Sequence, residues 1–391
     1  MSTRCLRIVV PRYGANVSGG SEALVRRLAL ALHQRHWSIE VFTTTAIDEA
    51  TWAEGFAPGV SVDEGVRVHR YPVRSGRHPA AFHQLSRAVF RLPPRLRPER
   101  FWLRAQGPYA PSLVRALSET AGHPTLFTPY LYHPTVSGLP AAPHPRVLLP
   151  AAHDEPALRL RRVGRMITSS DGLWFNTEEE RELLLRCHPQ SARVPHAIGT
   201  VGVDAPNDID VDGFRRRRQL DDYLLYGGRV TSGKGVTDLL TGFAELRTRR
   251  PRARLVLMGD DSTGQAVPPG VLRIGRVPDA ERWAAVAGAR AVVVPSSMES
   301  LSLITLEAWA TGRPCIVNGA GAVLRGQAAR SAAAIVYQTS GEFADAAEQL
   351  LTSPSAADAM GERGRRFVAE RYRWDDVVER LESLLRAAIS R

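Results

Sequence analysis

Residues 223–235 read YLLYGGRVTSGKG, an apolar run that ends in two glycines and passes into a Gly-rich turn. Such a run is typical of a buried strand, and the helical spacing over 236–249 predicts that a helix follows the turn. Lys234 is the one lysine among 51 basic residues, so every other position that needed a positive charge carries arginine. A compact, mobile ammonium is not interchangeable with a planar guanidinium at a phosphate. We therefore expect Lys234 to bind a ligand phosphate; the alternative is a lysine with no special role.

Short apolar runs alternate with helical patterns along the chain, which predicts parallel sheets covered by helices on both faces. Strands are predicted at 6–10, 38–44, 66–73, 125–130, 147–152, 172–177, 222–227, 253–259 and 291–295. Gly, Pro and Asp cluster over 199–221 before four consecutive arginines, which is typical of a linker. We therefore expect an α/β protein of two doubly wound lobes. The expected parts are a first lobe 1–200, a linker 201–221, a second lobe 222–372 and a C-terminal helix within 373–391 that packs back on the first lobe.

Composition favours an ordinary globular protein. Three cysteines lie far apart and form no CxxC motif, so neither a disulfide framework nor a cysteine metal site is expected. The N-terminal apolar stretch is too short for a signal peptide. The sequence has no stretch of about 18 uninterrupted apolar residues, so no membrane-spanning helix is expected. We expect a cytoplasmic protein.

The net charge of +11 has one dense region, residues 74–104. Its arginines are Arg74, Arg77, Arg87, Arg91, Arg95, Arg97, Arg100 and Arg104, against the single acid Glu99. Its aromatic residues are Phe82, Phe90, Phe101 and Trp102. Apolar wedges among arginines suit a peripheral contact with the inner face of an anionic membrane or with a lipid-linked acceptor. The alternative is a solvated loop, and no nucleic-acid module accompanies the charge.

A second motif follows the apolar strand AVVVP at 291–295. Glu299 and Glu307 are separated by seven residues, and a helix is predicted to begin near Ser302. Both carboxylates are then expected near the carboxyl end of the strand, beside a helix N-terminus whose N–H groups attract phosphate. A carboxylate can accept hydrogen bonds from the two hydroxyls of a ribose or sugar. The alternative is a helix-start acid and a solvated helix charge.

Taken together, these motifs resemble the retaining glycosyltransferases of glycosyltransferase family 4. The resemblance rests on the Gly19-Gly20 loop, the Arg229-x4-Lys234-Gly turn and the E-x7-E motif with its Glu307-Ala-Trp-Ala-Thr-Gly-Arg-Pro314 tail. It covers most of the chain and is weakest over 45–145, where the family binds acceptors. It implies the GT-B fold, in which two Rossmann-like lobes share an interlobe cleft.

The resemblance also implies a hexosyltransferase-type enzyme. Because the sequence has no His, Cys or carboxylate cluster outside the linker, we expect this enzyme to need neither a cofactor nor a metal. Such an enzyme moves a sugar from a nucleotide-sugar donor to a hydroxyl of a sugar or lipid-linked acceptor, in cell-envelope, polysaccharide or glycoconjugate biosynthesis. The implied catalytic residues are His153 and Glu299. The implied donor-binding residues are Arg229, Lys234, Ser302, Leu303 and Glu307, and the acceptor or phosphate loop contains Gly19 and Gly20. Asp154 is expected to orient His153.

Four alternatives stay open at this point. Gly228-x4-Gly233-Lys234 imitates a P-loop, but Gly235 stands where that loop has a magnesium-binding Ser or Thr. Asp208, Asp210 and Asp212 could supply the Asp-x-Asp of a manganese-dependent transferase, but no apolar strand precedes them. A nucleotide-sugar epimerase or a non-catalytic nucleotide-sugar-binding protein could share the same two-lobe fold.

The chain departs from the family at position 302. The family often has a glycine there, whereas Ser302 adds a side chain where the backbone is expected to meet phosphate.

Overall fold

The computed structural model describes residues 4–17, 19–120, 122–261 and 268–390. The chain divides into two compact units. The first contains Met1–Val201 and Trp374–Arg391, and the second contains Gly202–Arg373.

Within these described ranges, the first unit is built on an eight-stranded sheet. Its strands are β1 Cys5–Val9, β2 Ser38–Thr44, β3 Gly59–Asp63, β4 Val66–Tyr71, β5 Thr125–Phe127, β6 Arg146–Leu148, β7 Gly172–Phe175 and β8 His196–Ile198. Its helices are α1 Gly20–Gln34, α2 Pro79–Arg91, α3 Glu99–Gln106, α4 Pro111–Glu119, α5 His133–Gly138, α6 Arg161–Ser169 and α7 Glu178–Cys187.

The strands of the first unit lie in the order β3-β4-β2-β1-β5-β6-β7-β8. Neighbours are parallel except for the β3–β4 hairpin at one edge. The chain moves outward from β1 in one direction and returns to start again at β5 on its other side. Ligands of such sheets bind where the order reverses, at the carboxyl ends of the strands. The Gly19-Gly20 loop follows β1 and opens α1, so it lies at this end of the sheet.

The second unit contains a six-stranded, all-parallel sheet in the part of the chain that the structure describes. Its strands are β9 Leu224–Gly227, β10 Leu255–Met258, β11 Val271–Gly275, β12 Ala291–Val294, β13 Cys315–Asn318 and β14 Ala334–Tyr337. Its helices are α8 Val211–Arg218, α9 Val236–Arg249, α10 Asp279–Gly288, α11 Leu303–Ala310, α12 Ala322–Ser331, α13 Ser340–Thr352 and α14 Pro354–Arg371.

Its strand order, β11-β10-β9-β12-β13-β14, is that of a dinucleotide-binding sheet. All residues of β10 and β12 are buried, as expected for parallel strands covered on both faces. The order reverses between β9 and β12, so the loops after these two strands leave the sheet in opposite directions. The crevice between such loops is the expected ligand site.

The predicted linker, 201–221, contains a helix. Asp210 caps α8 by accepting the N–H of Gly213 at 2.8 Å. Arg218 pairs with Glu281 of α10 at 2.7 Å, so the four arginines lie on a helix fixed to the second unit. The last helix, α15 Trp374–Ile389, packs against β6, β7 and β8 of the first unit. No helix in the described ranges has the length and apolarity needed to cross a membrane.

The arginine-rich region 74–104 is not a solvated loop with aromatic wedges. Trp102 is buried, and its ring lies 5.4 Å from that of Phe82 and 5.2 Å from that of Phe90. Trp102 belongs to the hydrophobic core of the first unit, and Phe82 and Phe90 pack against that core, where aromatic surface is removed from water. Arg77 is also structural, since it donates to the carbonyl of Ala50 at 2.8 Å. The expectation that Phe82, Phe90 and Trp102 contact a membrane is therefore wrong.

Candidate active site

The turn after β9 lies directly against the chain that leaves β12. Gly235 has a φ of 74°, and a Cβ there would overlap the carbonyl oxygen of Pro295. Only glycine combines this left-handed backbone with so close an approach. Asn318, at the end of β13, donates to the same carbonyl at 2.9 Å. The two loops of the crevice are therefore in close contact at Gly235 and Pro295.

This contact brings the two predicted motifs together. The Lys234 ammonium donates to a carboxylate oxygen of Glu299 at 2.7 Å, and both side chains are partly exposed. Arg229 lies in the same turn, and its carbonyl accepts the hydroxyl of Tyr226 at 2.5 Å. A cation and a carboxylate at one crevice can hold, respectively, a phosphate and a pair of hydroxyls.

The start of α11 has an unusual backbone. Ser302 precedes the helix with a φ of 66° and a ψ of 82°, a left-handed conformation. Its hydroxyl lies 2.8 Å from that of Thr305 and makes no capping hydrogen bond. The helix itself begins at Leu303, whose turn presents N–H groups that can meet an anion. This backbone gives a physical reason for the glycine that the resemblance leads one to expect at position 302.

Glu307 is buried on α11 and is not alone. Arg282 of α10 makes an ion pair with its carboxylate and a second one with Asp279 at 2.7 Å. Burial by itself would lower the pKa of Arg282, but the carboxylates of Glu307 and Asp279 outweigh it and hold that pKa above its usual value. Sequence reasoning missed Arg282 because it lies on a different helix and belongs to no motif.

At the first sheet, the glycine loop is organised around a buried ion pair. Arg12, just after β1, donates to Glu22 at 2.6 Å, and both residues are buried. Gly19 has a φ of 151°, and a Cβ there would overlap the Glu22 carboxylate. Burial raises the pKa of Glu22, and the Arg12 guanidinium opposes this effect. The sequence did not single out Arg12 as a site residue, because it is one of fifty arginines.

His153 follows β6, and its loop is fixed by a carboxylate that sequence reasoning also missed. Glu180, fully buried in the first turn of α7, accepts the N–H groups of Ala152 and Asn176, each at 2.7 Å. Thr177-x-x-Glu180 is a capping-box pattern, which could have identified this helix start. Asp154, which is expected to orient His153, has an exposed carboxylate that pairs with Arg159 at 2.6 Å.

Comparisons with known proteins cover both units. A family model described as a glycosyl transferase 4-like domain matches residues 19–196, and one described as glycosyl transferases group 1 matches residues 221–353. A sucrose-phosphate synthase from Thermosynechococcus elongatus superposes with a TM-score of 0.75 at 18% identity, over 99% of both chains. The chain belongs to the glycosyltransferases of the GT-B type. The predicted α/β class with two doubly wound units is thereby confirmed.

Two further relatives of this GT-B glycosyltransferase are informative. A D-inositol 3-phosphate glycosyltransferase from Segniliparus rotundus is 25% identical and aligns with 96% of this chain and 86% of its own. An Anabaena protein crystallised with UDP and glucose has a TM-score of 0.72 at 14% identity, over 98% of this chain and 100% of its own. At that identity the structural likeness shows the fold.

Glu180 predicts a pH dependence of stability. Burial raises its pKa from 4.5 to about 7 in the folded protein, with the backbone hydrogen bonds opposing. The folded state therefore holds a proton that the unfolded state releases between these values, and stability is lost as the pH rises through this window. The loss is about 3 kcal/mol, at about 1.36 kcal/mol per unit of pKa.

Urea unfolding at about pH 5 and about pH 8 tests this assignment, because the free energy of unfolding of Glu180→Gln should lack the pH-dependent loss. Glu178→Gln, an exposed acid in the same turn, should retain it; equal pH profiles for both variants would contradict the assignment.

Ser302 predicts a preference for glycine over alanine. Ser302→Gly and Ser302→Ala both remove the hydroxyl, so their difference isolates the Cβ in a left-handed backbone. We expect the glycine variant to be more stable by about 1 kcal/mol in denaturant unfolding. An alanine variant of equal or greater stability would show that residue 302 has an ordinary backbone conformation.

Proposed function

We propose that this GT-B glycosyltransferase is a retaining, metal-independent enzyme that moves a sugar from a nucleotide-sugar donor to a hydroxyl acceptor. The observation that carries the proposal is the Lys234–Glu299 pair at the reversal point of the second sheet, with a bond of 2.7 Å. A donor of this kind presents a diphosphate and several hydroxyls, which are the complements of an ammonium and a carboxylate. The Anabaena neighbour with UDP and glucose supports uridine diphosphate sugars as the first donors to test.

Donor binding exchanges partners within the pair. The diphosphate takes the Lys234 ammonium and the Arg229 guanidinium, and charge-assisted hydrogen bonds to phosphate replace the bond to Glu299. The Glu299 carboxylate is then free to accept hydroxyls of the transferred sugar. The N–H groups that begin at Leu303, next to Ser302, receive phosphate oxygens. Glu307 accepts the ribose hydroxyls and shares its carboxylate with Arg282.

The reaction breaks the bond between the anomeric carbon and the phosphate oxygen, and the electron pair leaves with the phosphate. The sugar passes through an oxocarbenium-like state beside a departing dianion. Lys234 and Arg229, fixed on the diphosphate, stabilise that negative charge as it develops, which is the largest catalytic term available without a metal. The acceptor oxygen bonds to the anomeric carbon on the face that the phosphate leaves, and its proton passes to the phosphate oxygen. The configuration at the anomeric carbon is therefore retained.

The acceptor side is assigned to the first unit. His153 and the Gly19-Gly20 loop follow two strands of the first sheet at their carboxyl ends. The relative from Segniliparus rotundus is named for D-inositol 3-phosphate, which supports a phosphorylated polyol or sugar as the acceptor class. We place the reaction in cytoplasmic synthesis of a polysaccharide or glycoconjugate.

The alternatives differ in what they release. A transferase liberates nucleoside diphosphate only when an acceptor is present, apart from slow hydrolysis of the donor. An epimerase converts the nucleotide sugar with no acceptor, and a binding protein releases nothing. Incubation of the enzyme with UDP, GDP, ADP and dTDP sugars, each with and without inositol phosphate or a sugar phosphate, distinguishes the three. Nucleoside diphosphate that depends on the acceptor supports the proposal.

Lys234 should dominate donor affinity. We expect Lys234→Ala to weaken binding of the nucleoside diphosphate by roughly 1.5–3 kcal/mol, the value of a charge-assisted hydrogen bond. Lys234→Arg should recover part of this loss, because a planar fork replaces a point charge. Titration calorimetry measures the affinities, and Arg366→Ala, an exposed cation on α14, is the control. Unchanged affinity in Lys234→Ala would contradict the role of the ammonium.

Transfer should persist in excess EDTA. Among the described residues, no group of three His, Cys, Asp or Glu side chains is arranged to hold a metal ion. Asp210, the centre of the Asp208–Asp212 sequence, caps α8. Turnover measured with EDTA and with added Mn²⁺ or Mg²⁺ provides the test. Strict dependence on either ion would instead favour a role for Asp208–Asp212 or a nucleotide hydrolase.

A further inference from the structure

A basic pocket lies on the first unit, away from the residues assigned to the donor. It has a volume of about 380 Å³ and joins the start of α3 to the start of α6. Its arginines are Arg97, Arg100, Arg161, Arg162 and Arg165, and its other lining residues are Pro98, Glu99 and Phe101. Arg161, Arg162 and Arg165 lie some sixty residues beyond the arginine-rich region 74–104, so only the fold reveals that they extend it.

The one acid of the basic pocket is already satisfied. Glu99 is buried and accepts the backbone N–H groups of Arg161 at 3.0 Å and Arg162 at 2.9 Å, so it caps α6. Among the described residues, Arg100, Arg162 and Arg165 make no ion pair with an acidic side chain, since Glu99 pairs with Arg161. Burial lowers the pKa of Arg162, and the neighbouring charges of Arg100 and Arg165 lower it further while Glu99 opposes them. A bound anion would relieve this crowding of like charges.

Exposed apolar side chains lie beside the same arginines. Nine large apolar side chains are exposed in the described part of the chain, and three of them, Leu92, Leu96 and Phe101, fall within ten residues. Leu96 is 68% exposed and Phe101 is 60% exposed. Phe101 also lines the basic pocket, and Arg97 of the same pocket donates to the carbonyl of Leu92 at 3.0 Å, so apolar residues adjoin the arginines. A soluble anion would need only the arginines, whereas a lipid surface offers phosphates and hydrocarbon together.

We propose that the basic pocket, with Leu92, Leu96 and Phe101, is a docking surface for an anionic lipid bilayer. Lipid phosphates enter the pocket and pair with Arg100, Arg162 and Arg165. The apolar side chains insert at the boundary between head groups and acyl chains. This docking is separate from donor binding, because no residue of the surface belongs to the candidate donor site.

Co-sedimentation with vesicles tests the charged half of the docking surface. The unmodified protein should sediment with phosphatidylglycerol vesicles at low salt, should not sediment with phosphatidylcholine vesicles, and should be released as salt screens the charges. The triple variant Arg100→Ser, Arg162→Ser, Arg165→Ser should partition on the order of 100-fold more weakly, at about 1 kcal/mol per arginine. The control Arg67→Ser, Arg115→Ser, Arg386→Ser changes the net charge equally at exposed sites of the same unit and should bind nearly as well as the unmodified protein.

A second pair of variants tests the apolar half. Leu96→Ser with Phe101→Ser should weaken sedimentation at both low and high salt, because hydrophobic insertion is not screened. Val60→Ser with Ile389→Ser, each 65% exposed in the unmodified chain, is the matched control and should bind normally. Calorimetric affinity for the nucleoside diphosphate should stay the same in all four variants, which separates this proposal from the proposed function.

Three results would overturn the docking surface. One is failure of the unmodified protein to sediment with phosphatidylglycerol vesicles at low salt. Another is equal weakening by the pocket variant and its charge-matched control, which would indicate a general effect of net charge. The third is saturable binding of inorganic phosphate in the basic pocket without vesicle binding, which would indicate a site for a soluble anion.

Discussion

The reversal of strand order between β9 and β12 is the constraint on which the candidate site depends. Strands on either side of it connect outward, so the two loops that follow β9 and β12 separate and leave a crevice at the carboxyl edge of the sheet. Gly235 lets the first loop lie against Pro295 of the second. Lys234 and Glu299, which lie 65 residues apart in the sequence, are thereby brought within hydrogen-bond distance of each other.

Charge pairing is a consistent property of this edge. The Lys234 ammonium pairs with Glu299, and the buried Glu307 pairs with Arg282. The second pair matters most to stability, because leaving the buried Glu307 carboxylate unpaired would cost several kcal/mol. The exposed pair is the one that a ligand can exchange, because its desolvation cost is small. The buried pair is better suited to orient a carboxylate than to release it.

Sequence patterns identified the parts of the molecule that depend on local spacing. The helix predicted over 236–249 spans Val236–Arg249, and the strand predicted at 38–44 spans Ser38–Thr44. Buried runs such as β12 carry an unmistakable apolar signal. Helix α8 was mistaken for part of a linker because its four arginines carry no apolar stripe; Phe214 alone anchors its large side chain in the core. The hairpin strand β3 was missed because it is mostly exposed.

The misses at the site have a different cause. Arg282 and Arg12 act through partners on other elements, and no spacing rule links them to Glu307 or Glu22. Trp102 was expected at a surface, yet it meets Phe82 and Phe90 only once α2 and α3 pack together. The departure at Ser302, in contrast, was visible in the sequence, and its left-handed backbone explains it. At the site, the sequence patterns could not show which side chains on separate elements pair with one another.

Hydrogen exchange measured by mass spectrometry tests whether the donor binds at the reversal point of the second sheet. The exchange of each peptide is compared with and without a saturating nucleotide sugar. We expect protection to concentrate in peptides covering 228–235 and 295–303. Protection confined to peptides of the outer strands β11 or β14, or to the first unit alone, would contradict it.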